Sequence, residues 1–372
     1  MAGSPSIMDA KLLQRLRAQA RLATLFPPTS LSGAIERLGF VQADPIRAPA
    51  RAQDLILRHR VRGYRAGELE RSFARLKLEE DFLYAYGFMP ARIRQLLHPR
   101  QDPGGAGGDH LPEGLAAEVL AFVQTKGLCH PAELELQFGR ERAVNGWGGF
   151  SKATTRALES LHHYGLLRVA GRREGIRIYE AAPPPSPVSG TAERAHQLVM
   201  LVARLLAPVS PVSLRAALAL MARRNHGLGP LGPVIAAALR TGELEREEVE
   251  GESYLWPAAE AVFRQAPVPR DVRILAPFDP IVWDRRRFEH LWGWAYRFEA
   301  YTPPPQRRLG YYAMPLLWGE EVIGWANIRL IGGKLDVETG FVGRRPASQL
   351  FQRALDAELA RLERFLATPR ST

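Results

Sequence analysis

Residues 38–64 read LGFVQADPIRAPARAQDLILRHRVRGY and hold the pairing of side chains best suited to chemistry. Pro45 drives the residue before it, Asp44, out of the α region and into an extended conformation. Residues two apart in an extended segment share a face, so Gln42 and Asp44 would project together, with Val41 and Ala43 on the other side. An amide and a carboxylate side by side can hold one water between them. The carboxylate can accept that water's proton or stabilise a nearby cation. Arg47, Arg51, Arg58, Arg60 and Arg62 flank the pair in sequence and could grip phosphates. A plainer reading competes: Asp followed by Pro also starts helices, with Asp44 as N-cap and Pro45 at the first helical position. Pro49 weakens such a helix without removing it, and spacing alone leaves both readings open.

The chain that must position this pair has 372 residues, 46% hydrophobic and 24% charged, which suits two to four packed domains and argues against wholesale disorder. Its formal net charge is +11, which favours an anionic partner, nucleic acid before a membrane surface. Only five of the 50 basic residues are Lys, and Arg is the residue that forks onto phosphate. The single cysteine, Cys129, excludes a disulfide framework and Cys-based zinc or iron–sulfur sites. No stretch approaches about 18 continuous apolar residues, so no membrane-spanning helix is expected. The N-terminus is amphipathic rather than an apolar signal core, and a cytoplasmic protein is expected. The nine histidines are scattered without metal-ligand spacing, and the glycines at 104–108 follow no strand, so neither a metal site nor a phosphate loop is expected.

Pro/Gly-rich stretches at 101–108, 183–190 and 257–269 read as linkers. They divide the chain into 1–110, 111–182, 191–257 and 270–372. The first segment, which carries the Gln42–Asp44 loop, is mainly helical by periodicity, with helices over 8–24, 31–38, 50–60, 67–76 and 90–97, and reads as an N-terminal winged-helix region. The next two share a plan: three helices, then a strand-turn-strand. Gly165 precedes Tyr179 by 14 positions, as Gly242 precedes Trp256. That order is the winged-helix plan, a helix-turn-helix variant. The helix at 152–163 carries Lys152, Arg156, His162 and His163. Its wing carries Arg168, Arg172, Arg173 and Arg177, so this copy suits DNA. The other wing carries Glu243, Glu245, Glu247, Glu248, Glu250 and Glu252, which phosphate would repel; it should pack on protein or face solvent. The last segment is rich in aromatic and β-branched runs, YRFEAY (296–301) among them, and ends in an amphipathic helix over 346–366. It reads as an antiparallel β domain closed by a helix. Asp279 in FDP and Asp284 in VWD are candidates for a site, but FDP reads equally as a strand-end turn with Asp279 bonding nearby backbone, and the structural reading is favoured. Trp283, Trp292, Trp294, Tyr311 and Tyr312 read as core, and Arg307 and Arg308 beside the PPP turn as candidates for DNA contact.

The run around Gln42-Ala43-Asp44, with ARAQDLILRHRVRGY after it, resembles the winged-helix DNA glycosylases of the AlkZ and YcaQ family. So does the block LAPFDPIVWDRRRFEHLWGWAYRFEAYTPPPQRRLGYYAMPLLWGEEVIG at 275–324. The triplet has the Gln–apolar–Asp form of the YcaQ branch. The resemblance implies an α+β fold: tandem winged helices with a C-terminal antiparallel, barrel-like β domain, cupped around duplex DNA. It implies hydrolysis of the N-glycosidic bond of N-alkylated purines, N7-linked interstrand crosslinks included, with Gln42 and Asp44 as the catalytic pair. Arg47, Arg51, Arg58, Arg60, Lys152, Arg156, Arg172, Arg173, Arg307 and Arg308 are the expected DNA contacts. No lysine in the motif could form a Schiff base, so a monofunctional enzyme leaving an abasic site is expected, without metal or cofactor. Damaged duplex DNA is the expected partner of a monomer near the nucleoid. The competing class is a non-catalytic winged-helix transcription regulator, which has no need of a carboxylate aimed at DNA.

Overall fold

The computed structural model describes residues 7–100, 112–144, 150–183, 190–260 and 267–367. Of the three expected linkers, 101–108 lies outside these residues and the other two do so in part. The architecture is mixed helix and antiparallel sheet, as expected. Two compact units make it up: Met1–Leu69, Val199–Leu218 and Gly232–Thr372 in one, Glu70–Leu198 and Ala219–Leu231 in the other. No helix among the described residues is long and apolar enough to cross a membrane.

In the first unit, the helix Ile7–Thr24 buries Leu13, Leu16 and Ala20 on one face, the helical period read from the sequence. They join a core with Tyr254, Trp256, Phe288 and Trp292. The helix Leu31–Leu38 starts where the Ser30 hydroxyl accepts the Gly33 N–H at 3.1 Å, and stops at Gly39, whose φ is +72°. A Cβ there would meet Leu201 Cδ1 at 2.4 Å, so both backbone and packing require glycine. The chain leaves this stop as the short strand Val41–Gln42 and re-enters a helix only at Ala52–Leu57.

The C-terminal sheet has four antiparallel strands in the order Val272–Ile274, Met314–Trp318, Glu321–Ile331, Lys334–Phe341. Gly324 pairs with Leu316 on one side and Phe341 on the other, and a Cβ there would lie 2.0 Å from the Gly340 carbonyl oxygen. The closing helix, Gln349–Leu366, is capped by Ser348 and reaches the edge strand through buried Glu358, which accepts the Ile274 N–H at 2.9 Å. The run 296–301, expected as a strand, is irregular. The buried Glu299 carboxylate accepts the N–H groups of Arg308, Leu309 and Gly310 at 2.8, 2.7 and 3.2 Å. A carboxylate that organises backbone this way replaces a ladder.

The second unit holds an antiparallel hairpin, Leu78–Phe82 with Tyr86–Pro90, where the sequence read as mainly helical. Its charged LEEDF strand hides the pattern because the carboxylates are buried and paired. Glu79 binds Arg168, Glu80 binds Arg172 and Arg177, and Asp81 binds His98 and Arg100. The expected order of three helices and a hairpin is present twice. The helices Leu115–Lys126, Pro131–Phe138 and Ala153–His163 precede Leu167–Arg173 and Ile176–Ala181. The helices Thr191–Leu205, Pro211–Ala222 and Gly232–Arg240 precede Leu244–Val249 and Glu252–Pro257. The acidic hairpin packs on its own unit: Glu247 pairs with Arg15, Glu252 with Arg286, and Glu245 accepts the Trp256 indole N–H at 2.8 Å.

At the heart of the first unit Arg60 and Asp279, both fully buried, form a two-pronged ion pair at 2.8 and 2.9 Å. Arg60 also donates to the carbonyls of Thr24 and Ile56, and Asp279 caps the short helix Pro280–Trp283. Asp279→Ala would strand a buried guanidinium, and a loss of about 3–5 kcal/mol in urea unfolding is expected. The apolar double variant Arg60→Met/Asp279→Leu should recover much of it; a single variant as stable as the parent would contradict the assignment.

Candidate active site

The stop at Gly39 and the buried side chains of Phe40 and Val41 hold the strand that carries Gln42. Gln42 is half-buried, and its Oε1 is buried with no hydrogen-bond partner among the described residues. Asp44 is also half-buried. Its Oδ1 accepts the Ile46 N–H at 2.9 Å, an Asx turn in which the side chain shapes its own loop. The helix-start reading is therefore excluded, since the next helix begins eight residues later with Arg51 at its N-cap. Burial raises the Asp44 pKa and the Ile46 N–H works against it; among the described residues no basic side chain contributes. Buried Glu299 also stands without a cation among the described residues but accepts three backbone N–H groups, whereas the Asp44 carboxylate accepts one.

Tyrosines that the sequence reading missed or misjudged stand around Asp44. Tyr312 was expected in the core and is there, 3% exposed, yet its hydroxyl is buried without a hydrogen-bond partner among the described residues. Its pKa is raised well above the usual value by burial first, then by the Asp44 charge and by Tyr296, Tyr301 and Tyr311. Tyr301 is raised too, by burial and then by Asp44. The Tyr312 ring meets Phe298 edge-on at 5.3 Å between centroids, and Phe298 meets Tyr301 at 6.1 Å. Tyr301 is 78% exposed and Tyr311 44%, so Tyr311 is not the core residue it was read to be. The Arg307 guanidinium lies 5.1 Å from the Tyr311 ring centroid and donates to the Thr302 carbonyl at 2.8 Å. All sit on the loop that Glu299 organises. The sequence signal for Tyr301 was the PPP run beginning two residues later, which argued against the strand assigned there.

The basic residues divide sharply. Arg58 and Arg60 do not present free guanidiniums beside Asp44. Arg58 is paired with the fully buried Glu358 at 2.6 Å, and Arg60 with Asp279. Both come from the helical run 50–60, whose inward face the spacing did not reveal. Arg172 is likewise committed, gripping Glu80 at 2.9 and 2.6 Å and the Gly175 carbonyl at 2.9 Å. His162 is buried against the Glu80 carbonyl at 2.9 Å. Lys152 is exposed and pairs with Glu135. Arg51 is half-buried, and Arg307 is partly covered at Tyr311. Arg47, Arg156, Arg173 and Arg308 are exposed. Among the described residues, no three His, Cys, Asp or Glu side chains gather as a metal site would need.

Two comparisons bear on this arrangement. Residues 35–365 match the family described as DNA glycosylase AlkZ-like. The fold is similar to that of the Streptomyces sahachiroi DNA glycosylase AlkZ, with a TM-score of 0.60 at 15% sequence identity, over 95% of this chain and 96% of that one.

The raised pKa of Asp44 has a sign that can be checked. A carboxyl whose folded pKa lies above its unfolded value costs stability at every pH above the folded pKa, and the cost is relieved as pH falls through it. Asp44→Asn keeps an acceptor for the Ile46 N–H and removes the charge. It should be more stable than the parent near neutral pH, with the gap closing as urea melts are taken toward about pH 4. A variant less stable at neutral pH would mean that Asp44 has a stabilising cationic partner.

Proposed function

We propose, from the premise that the chain belongs to the AlkZ-like DNA glycosylase family, that this DNA glycosylase hydrolyses the N-glycosidic bond of N-alkylated purines in duplex DNA, bulky and interstrand-crosslinked N7-alkylguanine included. The observation that carries this reading is the unpaired, half-buried carboxylate of Asp44, two residues from the unsatisfied Oε1 of Gln42.

Alkylation at N7 gives the purine a positive charge, so it departs without being protonated. Departure leaves positive charge on the deoxyribose, as in glycoside hydrolysis. A carbohydrate hydrolase needs one carboxyl to protonate the leaving group and a second on the other side of the ring; here the first task is absent and one carboxylate suffices. Asp44 stabilises the cationic sugar and takes the proton of the attacking water. Gln42 Oε1 accepts a hydrogen bond from that water or from the sugar and holds it in line. Burial raises the pKa of Asp44, which makes its carboxylate a better proton acceptor than an ordinary aspartate. Without a motif lysine to form a Schiff base, the product is an abasic site. The step calls for no metal or cofactor.

A base tied to the opposite strand cannot be swung fully into a closed pocket. The exposed rings of Tyr301 and Tyr311 suit such a lesion, because they offer stacking faces beside Asp44 without enclosing it. We read 111–182 and 191–257 as winged helices between a helical N-terminal winged-helix region, 1–110, and a C-terminal β domain, 270–372. Arg47, Arg51, Lys152, Arg156, Arg173, Arg307 and Arg308 remain as phosphate contacts of a monomer acting on cytoplasmic, nucleoid DNA.

The test is excision from duplexes bearing N7-methylguanine or a nitrogen-mustard crosslink, read by alkali cleavage of abasic sites. Asp44→Asn should lower the single-turnover rate by at least about 100-fold, with duplex binding retained or tightened. Weaker binding with intact excision would contradict the assignment, and a normal rate in Gln42→Ala would remove Gln42 from the site. Affinity for the duplex should fall linearly with salt on a log–log plot; a flat response would rule out phosphate contacts.

A further inference from the structure

A cavity of about 440 Å³ opens in the first unit beside the last turn of the helix Gln349–Leu366. Its walls carry six guanidiniums: Arg58, Arg62, Arg65, Arg273, Arg361 and Arg364. None of Gln42, Asp44, Tyr301, Tyr311 and Tyr312 lines it.

Two carboxylates serve this group from behind. Glu358 takes Arg58 at 2.6 Å and Arg361 at 2.7 Å, and Asp271 takes Arg273 at 2.7 Å. Arg62 donates to the Pro28 carbonyl at 3.1 Å, and Arg65 to the Arg364 carbonyl. No carboxylate pairs with Arg62, Arg65 or Arg364 among the described residues, so at least three charges converge uncompensated on one partly enclosed space. Arg58, whose side chain is 3% exposed, also has a buried Nε without a hydrogen-bond partner. Burial lowers its pKa, Glu358 opposes that, and the nearby charges of Arg273 and Arg361 add to the lowering. Like charges held together at low dielectric repel, and planar forked donors match phosphate oxygens.

We propose that this cavity binds a cluster of phosphate groups, at least two adjacent phosphates, borne either by the DNA backbone or by a free phosphate compound. The volume falls in the range of small-molecule sites, about 300–1,000 Å³. An entering oxyanion relieves the repulsion. Arg62 and Arg364 are exposed and hold no buried carboxylate, so they act on the ligand and not on the fold.

The experiment uses the full chain, inorganic pyrophosphate as probe, and the double variant Arg62→Gln/Arg364→Gln, with its thermal unfolding and circular dichroism checked against the parent. Pyrophosphate at constant ionic strength should bind the parent at one site by calorimetry and raise its Tm. The double variant should bind about tenfold more weakly for each guanidinium lost. Duplex affinity against salt then separates the sources. If the DNA backbone is the ligand, the double variant binds duplex more weakly, its salt slope falls by about two, and pyrophosphate competes. If duplex binding is unchanged while pyrophosphate binding is lost, the ligand is a free phosphate compound. Equal pyrophosphate binding by parent and variant overturns the proposal, as does no pyrophosphate binding together with unchanged duplex affinity.

Discussion

The first unit is built around an ion pair that cannot reach water. Arg60 and Asp279 are both fully buried, 219 positions apart, and satisfy each other through two parallel hydrogen bonds. Breaking such a pair leaves a bare charge in a medium that cannot solvate it, so the two segments are effectively locked. The remaining donors of Arg60 take the carbonyls of Thr24 and Ile56, which brings in the ends of two helices. Asp279 starts the helix Pro280–Trp283, and Asp284 starts the next, Arg285–Trp292. The loop with Gln42 and Asp44 is strung between Thr24 and Ile56, and both its anchors are set by one guanidinium.

Asp44 differs from the carboxylates that arginines neutralise. Asp279, Glu358, Glu80 and Asp81 are all buried, and each meets an arginine. Asp44 meets a backbone N–H, and its charge adds to burial in raising the pKa values of Tyr301 and Tyr312. Its loop stays extended because Pro45 disfavours helix and the Asx turn offers the backbone an alternative. The same local chemistry that denies Asp44 a helix cap leaves its carboxylate without a cation among the described residues.

The arginine surplus serves two purposes that composition does not distinguish. Arg58, Arg60, Arg168 and Arg172 hold carboxylates within their own units, and their charge is spent on folding. Arg47, Arg173 and Arg308 stand exposed. The basic character of the 167–181 hairpin is muted by Glu79 and Glu80, so a charge count along its strands overstates what an anion would meet.

The sequence by itself determined what depends on neighbours in the chain. The helix at 31–38, the paired hairpins and most of the C-terminal strands follow from φ preferences, periodicity and turn residues acting over a few positions, whereas spacing left the Gln42–Asp44 step open between an extended segment and a helix start. Only the tertiary structure decided which charges face solvent. Whether Arg60 grips a phosphate or Asp279 depends on a partner 219 residues away, and both uses look the same in sequence. The hairpin at 78–90 was hidden for that reason: its carboxylates read as exposed until the arginines that neutralise them are brought alongside. The tyrosines at Asp44 were hidden too, because Glu299 replaces a strand with a loop through three backbone hydrogen bonds. Local preference sets the backbone. Desolvation, which only a folded neighbourhood creates, sets the role of each charge.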